Sequence, residues 1–275
     1  MRHERGWINN KMQYKFKNNV DKWLKEQKIR NKIPKNTIII PSSRELFFEG
    51  KLYEIYLRYQ SARTMLNAID NNENGYWYDD IEENKDLIRL NYNGFFLESM
   101  IMNYNIIIDL TWVVTFLSIE ICDYEIKSDG NFNFSDGNDI SKTKEIIKKI
   151  EGLAKRPDDR EISEYMNYFN SLSEKYIPIT EHIKSFWKTF KDSEIRKLYN
   201  FIKHRGKPEY KEIYNITGRK FYSYISDEIE YSTDISDIRS TISLYETLNN
   251  LIYFDDNTLF EYCDKLFELL IAIVY

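Results

Sequence analysis

Between Ser193 and Pro208 the chain places Arg196, Asn200, His204 and Arg205 close together, directly before Gly206 and Pro208. An α-helix turns about 100° per residue, so residues four apart lie about 40° from each other. Arg196, Asn200 and His204 therefore share one narrow stripe, Arg205 sits to its side, and Gly206 and Pro208 release the chain beyond it. A histidine side chain exchanges protons near neutral pH, and a guanidinium grips a phosphate through two parallel hydrogen bonds. These are the minimum groups for metal-independent cleavage of RNA. His204 would act as general base on a ribose 2′-hydroxyl or as general acid to the leaving 5′-oxygen, while arginine stabilises charge on the phosphate oxygens. The competing structural role makes His204 a helix C-terminal cation, favoured by the macrodipole and bonded to a carbonyl.

At these residues the sequence resembles the HEPN superfamily, helical-bundle proteins that include metal-independent ribonucleases of toxin-antitoxin and phage-defence systems. Their motif is an Arg, commonly followed by Asn, Asp or His, then a His after four to six intervening residues near a helix end. Asn200 and His204 match the polar residue and the His, and about a dozen residues carry the resemblance. Tyr199 stands where the motif's Arg would precede Asn200; Arg196 lies one turn early, and Arg205 follows His204. Either an arginine substitutes from another position or the site is a degenerate, non-catalytic version. The resemblance further implies a homodimer that brings two copies of segment 196–205 together, with RNA as substrate and a cognate antitoxin as a further partner.

Other candidates are weaker. His182, within Thr180-Glu-His-Ile, reads as an ordinary first-turn residue, and His3 sits near a terminus. Asp79, Asp80, Glu82 and Glu83, and likewise Asp255 and Asp256, have the chemistry of a divalent-cation site, but acidic runs at helix starts more often serve the helix dipole and solvent. Gly-rich phosphate loops, a Gly-x-Ser-x-Gly elbow and a His-Glu-x-x-His zinc motif are absent, so nucleotide-dependent and zinc-hydrolase classes lack support and no cofactor or metal is expected. Cys122 and Cys263 lie far apart with no metal-ligand spacing, which predicts two buried thiols in a reducing cytoplasm.

The 275 residues carry 42% hydrophobic and 30% charged side chains, the balance of a globular protein with a sizeable core. The 22 Tyr and 16 Phe, against 9 Gly and 5 Pro, favour long regular elements packed through large side chains. The net charge of -5 is uneven: residues 1–35 hold 11 Lys or Arg against three acids. That stretch is a basic arm for nucleic acid or an acidic partner, or a basic helix docked on the acidic body of its own chain. The most apolar window, 105–121, contains Asp109 and falls short of the roughly 20 apolar residues of a membrane span; it predicts a buried helix and no membrane association.

Apolar spacing predicts an amphipathic helix over 9–30, an extended connection over 36–41 between two prolines, and a long helix from Ser43 to Ile69. A turn over 70–75, a short helix over 76–90 and a long central helix over 91–126 come next, then a Ser, Asp, Asn and Gly-rich loop over 127–138. Helices are predicted over 140–155, 158–176 and 178–205, the last broken near Asp192. Segment 210–231 reads as a hairpin or a helix-flanking loop around Thr217-Gly218-Arg219. Two C-terminal helices, 235–253 and 258–274, separated at Asp255-Asp256-Asn257, complete an all-α bundle with a short β-hairpin insertion after residue 206. The domain reading is a basic amphipathic N-terminal helix or arm (1–35) and a helical bundle (36–275), with a subdivision at 127–138. Against the ribonuclease reading stands a non-catalytic helical protein that binds nucleic acid or a protein partner, in which His204 is structural.

Overall fold

The computed structural model describes residues 5–8, 11–14, 16–26, 43–69, 85–127, 159–217, 220–226, 229–234 and 241–274. The chain is an all-α, multi-helix protein with few strands. In order, the elements are β1 (Arg5–Ile8), β2 (Lys11–Tyr14), α1 (Asp21–Glu26), α2 (Ser43–Ala68), α3 (Lys85–Lys127), α4 (Asp159–Leu172), α5 (Ile177–Phe190) and α6 (Glu194–Arg205). Then come β3 (Glu209–Tyr210), α7 (Lys211–Thr217), β4 (Lys220–Ser226), β5 (Ile229–Asp234), β6 (Thr241–Ile242), α8 (Leu244–Phe254) and α9 (Phe260–Val274). Its contacts divide it into two compact units, one of 1–17, 61–102 and 194–255, the other of 18–60, 103–193 and 256–275. The divisions at 60/61 and 102/103 fall inside α2 and α3.

In the second unit, large rings supply the packing. Trp23 meets Tyr59, Phe260 and Phe267 with centroids 5.1 to 5.3 Å apart. Phe116 meets Phe169 at 4.6 Å, and Trp112 meets Trp187 edge-on at 6.2 Å. Such edge and offset contacts are the arrangement that aromatic quadrupoles favour. α5 buries Ile179, Thr180, Ile183, Phe186, Trp187 and Phe190, the one-sided spacing of a helix packed on its neighbours α4 and α9. The buried helix expected over 105–121 is found in α3, but its apolar stretch does not fall short of a span: a window within Lys85–Ile119 is long and apolar enough to cross a membrane, and 83% of that window is buried within the protein.

In the first unit, α8 buries Leu244, Leu248, Leu251, Ile252 and Phe254. Ser243 caps it, its hydroxyl accepting from the Glu246 N–H at 3.3 Å. Glu212 supports the same helix start, accepting from the Ser243 hydroxyl at 2.7 Å and the Leu244 N–H at 2.9 Å. The two-residue strands β3 and β6 pair in parallel, joining Glu209 to Thr241 and Tyr210 to Ile242.

Several expectations need correction. Within the helix predicted over 9–30, residues 11–14 are instead a strand paired antiparallel with 5–8, Trp7 opposite Met12, and among the described residues helix is found at Asp21–Glu26. The short and long helices predicted over 76–126 are one from Lys85 onward; Asn91 does not interrupt it because its amide donates back to the Leu87 carbonyl at 2.8 Å. The hairpin after residue 206 is present, but its strands are 220–226 and 229–234, so Thr217-Gly218-Arg219 is not its turn and 211–217 is helical. The break at Asp192 is found, between α5 and α6. The break at 255–257 is not: Asp255–Leu259 form a π-helical turn that joins α8 to α9. Predicted elements at 36–41, 70–84 and 128–155 lie outside the described residues.

Candidate functional site

Helix α6 is short, opens with Glu194 in its first turn and ends with Lys203, His204 and Arg205 in its last, which suits the direction of its dipole at both ends. Ile195 and Tyr199 are its buried anchors. Gly206 comes next with φ +94°, a left-handed conformation that glycine adopts without steric cost, and it turns the chain off the helix. The stripe expected from the sequence is therefore real as a helical face, and its members differ in setting. Asn200 and His204 are exposed, Arg205 is exposed about 100° round from His204, and Arg196 is half-buried.

Tyr199, directly before Asn200, points into the core, where it is 7% exposed. Its ring gathers cations. The Arg196 guanidinium lies 5.1 Å from the ring centroid and the Lys203 ammonium 5.7 Å, one turn to either side. Lys203 is missing from the site expected from the sequence, although its position four residues after Tyr199 and one before His204 is the signal that would have found it. Lys197, on the other hand, is committed to Glu194 at 2.8 Å.

The segment beyond Gly206 is fastened to the first part of α3. Lys207 Nζ donates to Asn91 Oδ1 at 2.9 Å, and the Tyr210 hydroxyl lies 3.1 Å from Glu98 Oε1 and 3.4 Å from the Gly94 carbonyl, both acceptors. Gly94 is needed for this approach: a Cβ there would stand 2.6 Å from Tyr210 Cε2. Burial, and then the neighbouring Glu98 charge, push the Tyr210 phenol far above its usual range, so it remains a proton donor to Glu98. Burial likewise raises the Glu98 pKa against the opposing effects of the Tyr210 hydrogen bond and Lys207. The exit from α6 is thus held on a fixed support.

The other described polar residues weighed in the sequence are engaged within the fold. Asp255 is fully buried and receives Arg63 at both carboxylate oxygens, at 2.5 and 3.0 Å, while the guanidinium covers the Phe16 ring at 4.1 Å. Asp256 is also buried, its carbonyl accepting from Asn18 at 2.8 Å. Neither serves solvent, contrary to the reading of an acidic run at a helix start. His182 Nε2 donates to the Tyr262 carbonyl at 3.0 Å and its ring stacks on Tyr262 at 5.3 Å. Cys263 is a buried thiol. Among the described residues no cluster of three or more His, Cys, Asp and Glu is arranged to hold a metal ion. His3, Cys122 and the acidic run 79–83 lie outside the described side chains.

Comparison with protein-family models, with curated proteins and with solved structures finds no match for this chain.

Proposed function

We propose that the protein is a HEPN-like, metal-independent endoribonuclease of a toxin or phage-defence system, working as a homodimer that faces two copies of α6 towards each other. The observation that carries this reading is the exposed imidazole of His204 at the end of α6, with Asn200 one turn behind it and Lys203 and Arg205 on either side.

In this reading His204 takes the proton of a ribose 2′-hydroxyl as that oxygen forms a bond to phosphorus. The bond from phosphorus to the 5′-oxygen breaks, and the proton returns to that leaving oxygen, giving a 2′,3′-cyclic phosphate and a 5′-hydroxyl. Arg196 and Lys203, gathered on Tyr199, and Arg205 beyond them supply the positive charge that the phosphate oxygens need. Arg205 is the arginine best placed to substitute for the missing motif residue, because Arg196 is already stacked on Tyr199. No metal ion takes part in these steps.

Purified protein is expected to cleave RNA in the presence of a chelator. His204→Ala should slow cleavage about 100-fold or more while leaving thermal stability within about 0.5 kcal/mol, since the residue is exposed. RNA left intact by the parent protein, or cut as fast by the alanine variant, removes the catalytic reading in favour of a non-catalytic helical protein.

A further inference from the structure

The start of α3 presents two aromatic rings beside the segment that leaves α6. Phe95 is 58% exposed and Tyr92 37%, whereas Asn93, Leu97, Met100 and Ile101 on the same helix are buried. Asn91, Gly94 and Glu98 form the face that receives Lys207 and Tyr210. Phe95 stands one turn from Asn91 and about 40° round from it, and Tyr92 flanks Phe95 one turn earlier. Phe95 therefore borders the bonded seam on the side turned to solvent, and Tyr92 lies a further 60° or about that round, next to Phe95 on the exposed face. Lys207, at that seam, is two residues past Arg205 and three past His204.

Single exposed apolar residues are ordinary on a protein surface. Here Phe95 stands one turn from Asn91, which receives Lys207, the last of a run of exposed cations, Lys203, Arg205 and Lys207, along the segment that leaves α6. This combination matches single-stranded nucleic acid, whose phosphates seek the cations while its unpaired bases stack on the rings. A duplex keeps its base faces inside the stack and offers the rings nothing. An apolar protein partner would have to cover the neighbouring cations without countercharge, which is costly. Glu98, three residues beyond Phe95, is engaged by Tyr210 and is partly buried, which limits its repulsion of a phosphate.

We propose that Tyr92 and Phe95 form a base-stacking shelf that selects single-stranded RNA and leads its backbone over Lys207 and Arg205 towards His204. The choice of RNA rests on the ribonuclease reading, but the shelf is tested by binding and not by turnover. The probe is a fluorescein-labelled single-stranded RNA of about 12 nucleotides, compared with the same sequence as a duplex, titrated into full-length His204→Ala protein. The single strand should bind more tightly than the duplex. Adding Phe95→Ala or Tyr92→Ala should weaken the single-strand complex roughly 10-fold each, with the salt dependence unchanged. Phe95→Trp should retain binding, and Lys207→Gln should lower the salt slope by about 1. Ring variants that bind as the parent does, or a duplex that binds equally well, would overturn the shelf. So would a Phe95→Ala variant that turns a dimer into a monomer with RNA affinity intact, for the face would then belong to a second copy. A protein that binds through the rings but never cuts RNA keeps the shelf and loses the ribonuclease; one that cuts through His204 with its rings removed at no cost does the reverse.

Discussion

His182 and His204 sit on consecutive helices, α5 and α6, and the molecule treats them differently. His182 is stacked on Tyr262 and bonded to that residue's carbonyl, next to a phenol that burial holds far above its usual pKa despite the Thr111 hydrogen bond. His204 is exposed on the last turn of its helix. The same contrast separates two arginines, Arg63 buried in a two-point bond with Asp255 and Arg205 in solvent beyond the core. Buried polar groups must be paired, because an unmet charge in the interior costs several kcal/mol, and once paired they belong to the fold. Asn200, His204 and Arg205 on one short helix are instead open to solvent.

Asp255→Ala is the strongest test of the interior half of this contrast. It leaves the Arg63 charge buried without its carboxylate, and chemical denaturation should register a loss of about 3 to 5 kcal/mol. A loss below about 1 kcal/mol would mean that the pair is not part of what holds the fold. Next in size is a pair of glycines on long helices. Gly94→Ala pushes a methyl against a Tyr210 ring that cannot withdraw, so overpacking of about 1 to 3 kcal/mol outweighs the roughly 1 kcal/mol gained in helix propensity. At Gly50 a Cβ meets nothing within 4 Å, and Gly50→Ala should stabilise by up to about 1 kcal/mol. Melting curves of opposite sign are expected from the two; the same sign from both would contradict the close approach of Tyr210.

The smallest effect is electrostatic. Because the folded-state pKa of Glu98 is raised, folding takes up a proton there, and its contribution to stability falls as pH rises from near 4.5 through the folded value. Glu98→Gln keeps the acceptor for Tyr210 and removes the charge, so it should flatten that fall and match or exceed the parent at neutral pH, by no more than about 1 kcal/mol. Glu212 has the reverse sign. Burial alone would raise its pKa, but the Leu244 N–H and the Ser243 hydroxyl lower it overall, so its contribution is present above the ordinary carboxyl value and lost as pH falls through the folded one.

The bundle was legible because its helices carry one-sided or all-round apolar spacing long enough to be unambiguous, as in Ile179 to Phe190 and along α3. Short elements were not. The hairpin at 5–14 hides beneath a helical pattern, and Asp255-Asp256-Asn257 looks like a break because the sequence does not reveal that Arg63, 192 residues away, neutralises Asp255. In the site, the stripe Arg196, Asn200, His204 and its ending at Gly206 came from spacing alone. Lys203 and the support by Lys207 and Tyr210 did not, since these depend on where Tyr199 points and on Gly94 opposite Tyr210.

The most direct measurement is cleavage of a labelled single-stranded RNA, in chelator, by the purified parent and by His204→Ala compared at equal thermal stability. The account predicts cyclic-phosphate products from the parent and a loss of about 100-fold or more in the variant; equal cleavage by both proteins, or none by the parent, would contradict it.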